Sequence, residues 1–168
     1  GTFPSAVLIA RSRGIDITTT GSGNPGASNV GRLLGRKLGV LVFILDGLKG
    51  AISVGVGFLI AGYAGALALA CAAVVGHVFP VTRKFKGGKG VATFLGTLLA
   101  LFWPAGIAAC FTWLVVALIF RISSLAALIA AVMSPIWLAF LGMPNATVFG
   151  VALAILILWR HRSNIARL

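Results

Sequence analysis

The chain has 168 residues, 60% of them hydrophobic and 10% charged, at a mean hydropathy of +1.09; soluble domains carry about 25% charged residues. A water-facing fold of this length cannot bury so much apolar surface, so an ordinary soluble domain is excluded and lipid is the expected solvent. Fourteen Lys and Arg stand against Asp16, Asp46 and no Glu, a formal +12, which points to anionic partners (lipid headgroups or phosphorylated ligands) and leaves little soluble surface for nucleic acid.

A spanning helix takes about 20 apolar residues, sometimes as few as about 17. Residues 1–10 are apolar but short, and read as the tail of a first span whose start lies upstream; no cleavable signal peptide is visible. Residues 38–60 and 64–81 supply spans two and three. Residues 91–120 are too long for one span and carry Trp103-Pro104 near their middle, so two short, tilted helices joined at the proline are expected. Residues 123–141 form a sixth span, Gly142-Met143-Pro144-Asn145 a turn, and residues 146–159 a seventh.

The cations agree with this threading. Arg11, Arg13, Arg32, Arg36 and Lys37 fall between spans one and two, and Arg83, Lys84, Lys86 and Lys89 between three and four. Arg121 separates five from six, and Arg160, Arg162 and Arg167 follow seven. The links near Gly62, Trp103 and Gly142 carry no Lys or Arg. The positive-inside rule makes the charged face cytoplasmic. The expectation is therefore an all-α polytopic membrane protein of about seven transmembrane helices, N-terminus out and C-terminus in, forming one domain over residues 1–168.

Gly31, Gly35 and Gly39 are spaced for close helix packing. Asp46 and Lys49, three apart on one helix, can pair; a local pair that aids insertion and a role in a site remain equally open. Cys71 and Cys110 lie in apolar runs without CxxC spacing and read as core residues, and no metal-ligand set or cofactor motif is present.

Three polar clusters carry the chemistry. The first, Gly21-Ser22-Gly23-Asn24-Pro25-Gly26-Ala27-Ser28-Asn29, contains GxGxxG, and Asp46 follows Gly26 by 20 residues. Asp46 lies in an apolar span and no strand–helix alternation follows, so a dinucleotide site is rejected. Glycine N–H groups and the Ser22, Asn24, Ser28 and Asn29 side chains leave an anion-binding nest, entering a helix near Ser28 or Asn29, with Arg32 and Arg36 one turn apart beyond it. The rival is a Gly-rich turn beside solvated arginines. The second runs from His77 to Thr93 and holds Arg83, Lys84, Lys86 and Lys89 among Gly87, Gly88 and Gly90. It is not a Walker loop, because Gly90 follows Lys89. A topology signal alone has no use for glycines. His77 reads first as a structural residue at a helix end. The third, residues 160–168, places His161 and Asn164 three apart on an expected helix.

Taken together, GSGNPGASN, HVFPVTRKFKGGKGVAT and RHRSNIARL resemble the three cytoplasmic motifs of the acyl-phosphate:glycerol-3-phosphate acyltransferase family (PlsY type), in order and topology and over essentially the whole chain. Ser28 stands where that family usually has Thr. The resemblance implies transfer of a fatty acyl group from acyl phosphate to the 1-hydroxyl of glycerol 3-phosphate, without a cofactor, at the cytoplasmic face of a bacterial inner membrane. It also implies that Ser22, Arg32, Lys89, His161 and Asn164 are the catalytic and glycerol 3-phosphate positions. The loop of Gly21, Gly23, Asn24 and Gly26 would take the phosphate of the acyl donor, with Ser28, Asn29, Lys86, Gly87, Gly88 and Gly90 as further substrate-binding positions.

The residues accommodate this chemistry. Acyl phosphate is a mixed anhydride with a good leaving group, so no strong general acid is required. Neither His77 nor His161 is followed four residues on by an acid, which removes the His–Asp arrangement of other glycerolipid acyltransferases. Two rival classes share the basic loops: a transporter of a phosphorylated metabolite, and a non-catalytic lipid-binding protein. The first calls for polar residues near the bilayer midplane, and the second has no need of the Ser22, His161 and Asn164 side chains.

Overall fold

The computed structural model describes residues 1–168 and is all-helical. The helices are α1 (Ser5–Arg11), α2 (Ala27–Leu34), α3 (Arg36–Val78), α4 (Val91–Leu101), α5 (Trp103–Phe120), α6 (Ser123–Phe140), α7 (Pro144–Arg160) and α8 (Arg162–Ile165), with a 3₁₀ turn at Val81–Arg83.

Although hydrogen-bonded almost throughout, α3 is a hairpin. Ala61 (φ −147°, ψ 32°) and Gly62 (φ 57°, ψ −146°) leave helical geometry, and only glycine takes the second conformation without strain. The chain reverses there, so that the backbones of Gly57 and Gly65 touch; on a continuous helix eight residues would separate them by about 12 Å. The two arms match the expected second and third spans. The break at Phe102 (φ −156°, ψ 91°) separates α4 from α5 and folds Gly106 against Leu99, as the Trp103-Pro104 pair led one to expect.

Small residues set the helix spacing. A Cβ on Gly96 of α4 would meet the Gly47 backbone of α3, and one on Gly150 of α7 would fall 2.9 Å from Leu138 and 3.3 Å from the Pro135 Cα of α6. Ala66, Ala70, Ala105 and Ala131 are fully or almost fully buried between helices, around Phe94, Leu98, Leu138 and Ile157. With no hydrophobic drive between helices in lipid, such close van der Waals contact is what holds them together. Large apolar side chains point outward instead, Leu59 at 88% and Phe140 at 81% exposure, as a lipid-facing surface requires. By length and composition the stretch containing α3, together with α5 and α6, can cross a membrane, while α4 and α7 are shorter apolar helices.

Three local expectations are corrected. Arg32 and Arg36 do not lie on one helix: Gly35, at φ +94°, breaks the chain between α2 and α3. Gly35 therefore makes no helix contact, whereas a Cβ on Gly39 would sit 2.7 Å from the Gly31 Cα. At the other end α7 stops at Arg160, so His161 is a junction before α8 and shares no continuous helix face with Asn164.

Candidate active site

The loop leading into α2 is built before it can bind anything. Asp16 Oδ1 accepts from the Thr18 N–H at 2.9 Å and the Thr18 hydroxyl at 2.7 Å, a local turn that Asp commonly makes. Ile17 and Val30 are fully buried, together with Ala10 and Val42, and anchor the loop; full burial of such side chains is worth about 1.5–3 kcal/mol each. Asn29, 1% exposed, fastens the loop to the helix. Its Oδ1 accepts from the Ser22 N–H at 3.0 Å, and its Nδ2 donates to the carbonyls of Thr20 (3.1 Å) and Ile17 (3.4 Å). The Asn29 side chain thus shapes the loop, and Ser22 is left exposed at its tip.

The glycine stretch before α4 is clamped on two sides. The Gly88 N–H donates to the His77 carbonyl at 3.2 Å. The Arg160 guanidinium donates to the carbonyls of Gly87 (3.1 Å) and Gly88 (3.3 Å) and stacks over the rings of Phe79 and Trp159. Gly87 and Gly88 are buried, and a Cβ on either would strike the backbone or ring of His77. Lys89 follows, half-buried, and its ammonium donates to Asn164 Oδ1 from α8.

These stretches enclose one open cleft of about 1790 Å³. Every sequence-predicted site residue lines it except Gly88, which packs against His77. Arg36 stays outside. Ten of the fourteen cations face the cleft: Arg11, Arg32, Arg83, Lys84, Lys86, Lys89, Arg121, Arg160, Arg162 and Arg167. Asp46 is the single acid among its lining residues. The N-terminal ends of α2, α4 and α6 also open there, none closed by a capping side chain. Their free N–H groups and positive dipole ends favour phosphate.

Burial, and then the charges of Arg167, Arg160 and Arg32, lower the Lys89 pKa to about 8. The lysine is still mostly charged at neutral pH, in surroundings that make a bound anion welcome. His161 is 3% exposed, and its Nδ1 lies 2.8 Å from the Ile157 carbonyl. A carbonyl only accepts, so Nδ1 carries the proton and Nε2 is the free lone pair. Burial is the main cause that lowers the His161 pKa to about 4, against the Ile157 bond, which raises it. The imidazole is therefore neutral at pH 7.

Several cleft residues had no site role assigned from the sequence. Arg160 was visible only as one basic residue among several, and its hold on Gly87 and Gly88 depends on α7 ending beside that loop. Ser123, whose hydroxyl lies 3.2 Å from that of Ser28, and Ser124 come from the start of α6. Phe43 and Trp113, ring centroids 6.0 Å apart across α3 and α5, line the cleft's apolar side; isolated aromatics within spans carry no local signal.

Comparison with known proteins bears on this arrangement. The family model described as glycerol-3-phosphate acyltransferase matches residues 1–168. Among similar proteins, glycerol-3-phosphate acyltransferases of Jannaschia sp. (strain CCS1) and Cereibacter sphaeroides (strain ATCC 17025 / ATH 2.4.3) are 51% and 45% identical, each aligned over 100% of this chain and over 83% and 80% of their own lengths. The crystal structure of PlsY (YgiH), described as an integral membrane glycerol 3-phosphate acyltransferase, in its glycerol 3-phosphate form superposes with a TM-score of 0.94 at 39% identity, covering 99% of this chain and 84% of that one. Its lysophosphatidic acid form gives a TM-score of 0.92 over the same shares.

Proposed function

The chain belongs to the glycerol-3-phosphate acyltransferase family, an integral membrane class serving phospholipid synthesis, and from that membership we propose that its acyl donor is acyl phosphate and its acceptor the 1-hydroxyl of glycerol 3-phosphate. The hydroxyl oxygen attacks the acyl carbonyl carbon. The bond from that carbon to the phosphate oxygen breaks, inorganic phosphate leaves, and lysophosphatidic acid remains. The hydroxyl proton goes to His161 Nε2 or to the departing phosphate.

One observation carries this reading: three stretches far apart in sequence bring Ser22, Arg32, Lys89, His161 and Asn164 to a single cationic cleft. Lys89 and Arg32 hold phosphate oxygens and neutralise charge that grows in the transition state. Ser22, His161 and Asn164 orient the acceptor hydroxyl. The glycine loop from Gly21 to Gly26 and the α2 N-terminus take the donor phosphate. The acyl chain extends past Phe43 and Trp113 toward lipid. Counting the α3 hairpin as two gives six crossings with α4 to α7, and taking α1 as a further one makes seven, within one domain; the cationic cleft belongs at the cytoplasmic face of a bacterial inner membrane.

The test is direct. Purified protein in detergent or lipid, given acyl phosphate and glycerol 3-phosphate, should release inorganic phosphate only when both substrates are present. Folded protein that releases none, or that uses another acyl donor equally well, would refute the donor assignment.

A further inference from the structure

The cleft holds an acid and a histidine that the mechanism above leaves unused. Asp46 lies on the first arm of α3 and His77 near the end of the second; both line the cleft. Asp46 is 2% exposed. Its Oδ1 accepts from Lys49 at 2.7 Å and from the Ser5 hydroxyl of α1. The same oxygen faces His77 Nδ1 at 3.8 Å. That nitrogen is buried and has no hydrogen-bond partner, although His77 itself is 8% exposed. The opposite edge of the ring, Nε2, fills the space that a Gly88 Cβ would occupy, and the His77 carbonyl holds the Gly88 N–H.

A buried carboxylate inside an apolar helix is costly unless it is paired. Lys49 alone satisfies that need, so the arrangement toward His77 calls for another reason. The line Asp46–His77–Gly88 runs from the first arm of the hairpin, across the second, to the residue before Lys89. We propose that Asp46 and His77 are positioning residues for the reaction: the carboxylate orients the imidazole, the imidazole fixes the Gly88 backbone, and Gly88 delivers the Lys89 ammonium to Asn164. The opposite face of the same glycine pair is held by Arg160, so the loop is clamped between α3 and α7. This inference rests on Lys89 being a phosphate ligand. The competing role is a staple of the fold, joining α1 to α3 with no bearing on Lys89.

The two roles separate by substitution in the intact protein. His77→Leu keeps the apolar volume and removes both nitrogens; His77→Gln keeps a polar group near Nε2. Asp46→Asn keeps the shape and can still accept from Ser5 and Lys49. Phosphate release, glycerol 3-phosphate affinity by titration calorimetry and thermal unfolding are measured on each. Expected for His77→Leu and Asp46→Asn is a loss of kcat/KM of about tenfold to a hundredfold, the scale for a catalytic group displaced by about 1 Å; the unfolding midpoint stays unchanged in His77→Leu, whereas Asp46→Asn leaves Lys49 without its counter-charge and lowers the midpoint, so its rate is taken per folded protein. His77→Gln should recover most of it. Wild-type kcat/KM in His77→Leu would overturn the proposal. So would losses in both variants that merely track the fraction of folded protein. A Lys89→Ala enzyme with normal turnover would instead sink the phosphate-ligand reading beneath it.

Discussion

Removing the Lys89 ammonium is the sharpest perturbation of the site. Lys89 is half-buried, bonded to Asn164 and placed among Arg32, Arg160 and Arg167. On the proposed mechanism, Lys89→Ala deletes one charge-assisted hydrogen bond to phosphate in the ground state, worth about 1.5–3 kcal/mol. The remaining arginines offset part of this, so KM for glycerol 3-phosphate should rise about tenfold, or 1.4 kcal/mol. In the transition state the loss resembles removal of a preorganised donor, about 2.7–4 kcal/mol, or about 10²–10³ in kcat. Stability should change little. Asn164 loses a partner, at about 1 kcal/mol, while mutual repulsion among the cleft cations falls. The assay is initial-rate phosphate release against both substrates, with thermal unfolding in the same detergent. Lys89→Arg should fall between the two, because a planar guanidinium does not reproduce a point ammonium at Asn164. A folded Lys89→Ala protein within about threefold of wild-type kcat would refute the electrostatic argument, since the smallest effect in the range above is about a hundredfold.

The pH profile of kcat/KM should show an alkaline limb: with its pKa lowered to about 8, Lys89 loses its charge as pH rises through that value, and the limb should vanish in Lys89→Arg, whose guanidinium stays charged; a limb that persists there would assign it to another group. On the acid side His161, lowered to about 4, is already neutral at pH 5, so any fall near pH 6 belongs to the second ionisation of the substrate phosphate, at about 6. His161→Ala should reduce kcat by about 10²–10⁴ if the imidazole takes the proton; a loss below tenfold transfers that role to the leaving phosphate. Gly96→Leu forces α4 away from the Gly47 backbone and should lower the unfolding midpoint in detergent, at a cost of about 1–3 kcal/mol for overpacking; an unchanged midpoint would mean that α3 and α4 are not held by that contact.

Sequence periodicity and charge located what is local. Apolar run length marked the helices that became the two arms of α3 and α4 to α7, because crossing hydrocarbon demands about 20 apolar residues whatever the neighbours. The glycine loops, the cations and most of the polar residues that line the cleft stood out in the sequence because anion binding, the role proposed for them, draws on few residue types, clustered over a few positions. Breaks were less legible. Gly35 and His161 interrupt helices in stretches whose composition suits continuous ones, and the backbone at those residues sets how α2 meets α3 and how α7 meets α8. The tertiary structure alone decided the long-range meetings: Asp46 with His77 across the hairpin, Arg160 with Gly87 and Gly88, Lys89 with Asn164. Neighbours three or four apart follow from helical pitch, but residues 31 to 75 apart meet only through the bend at Gly62 and the crossings that small residues permit. No pattern read along one segment contains those angles.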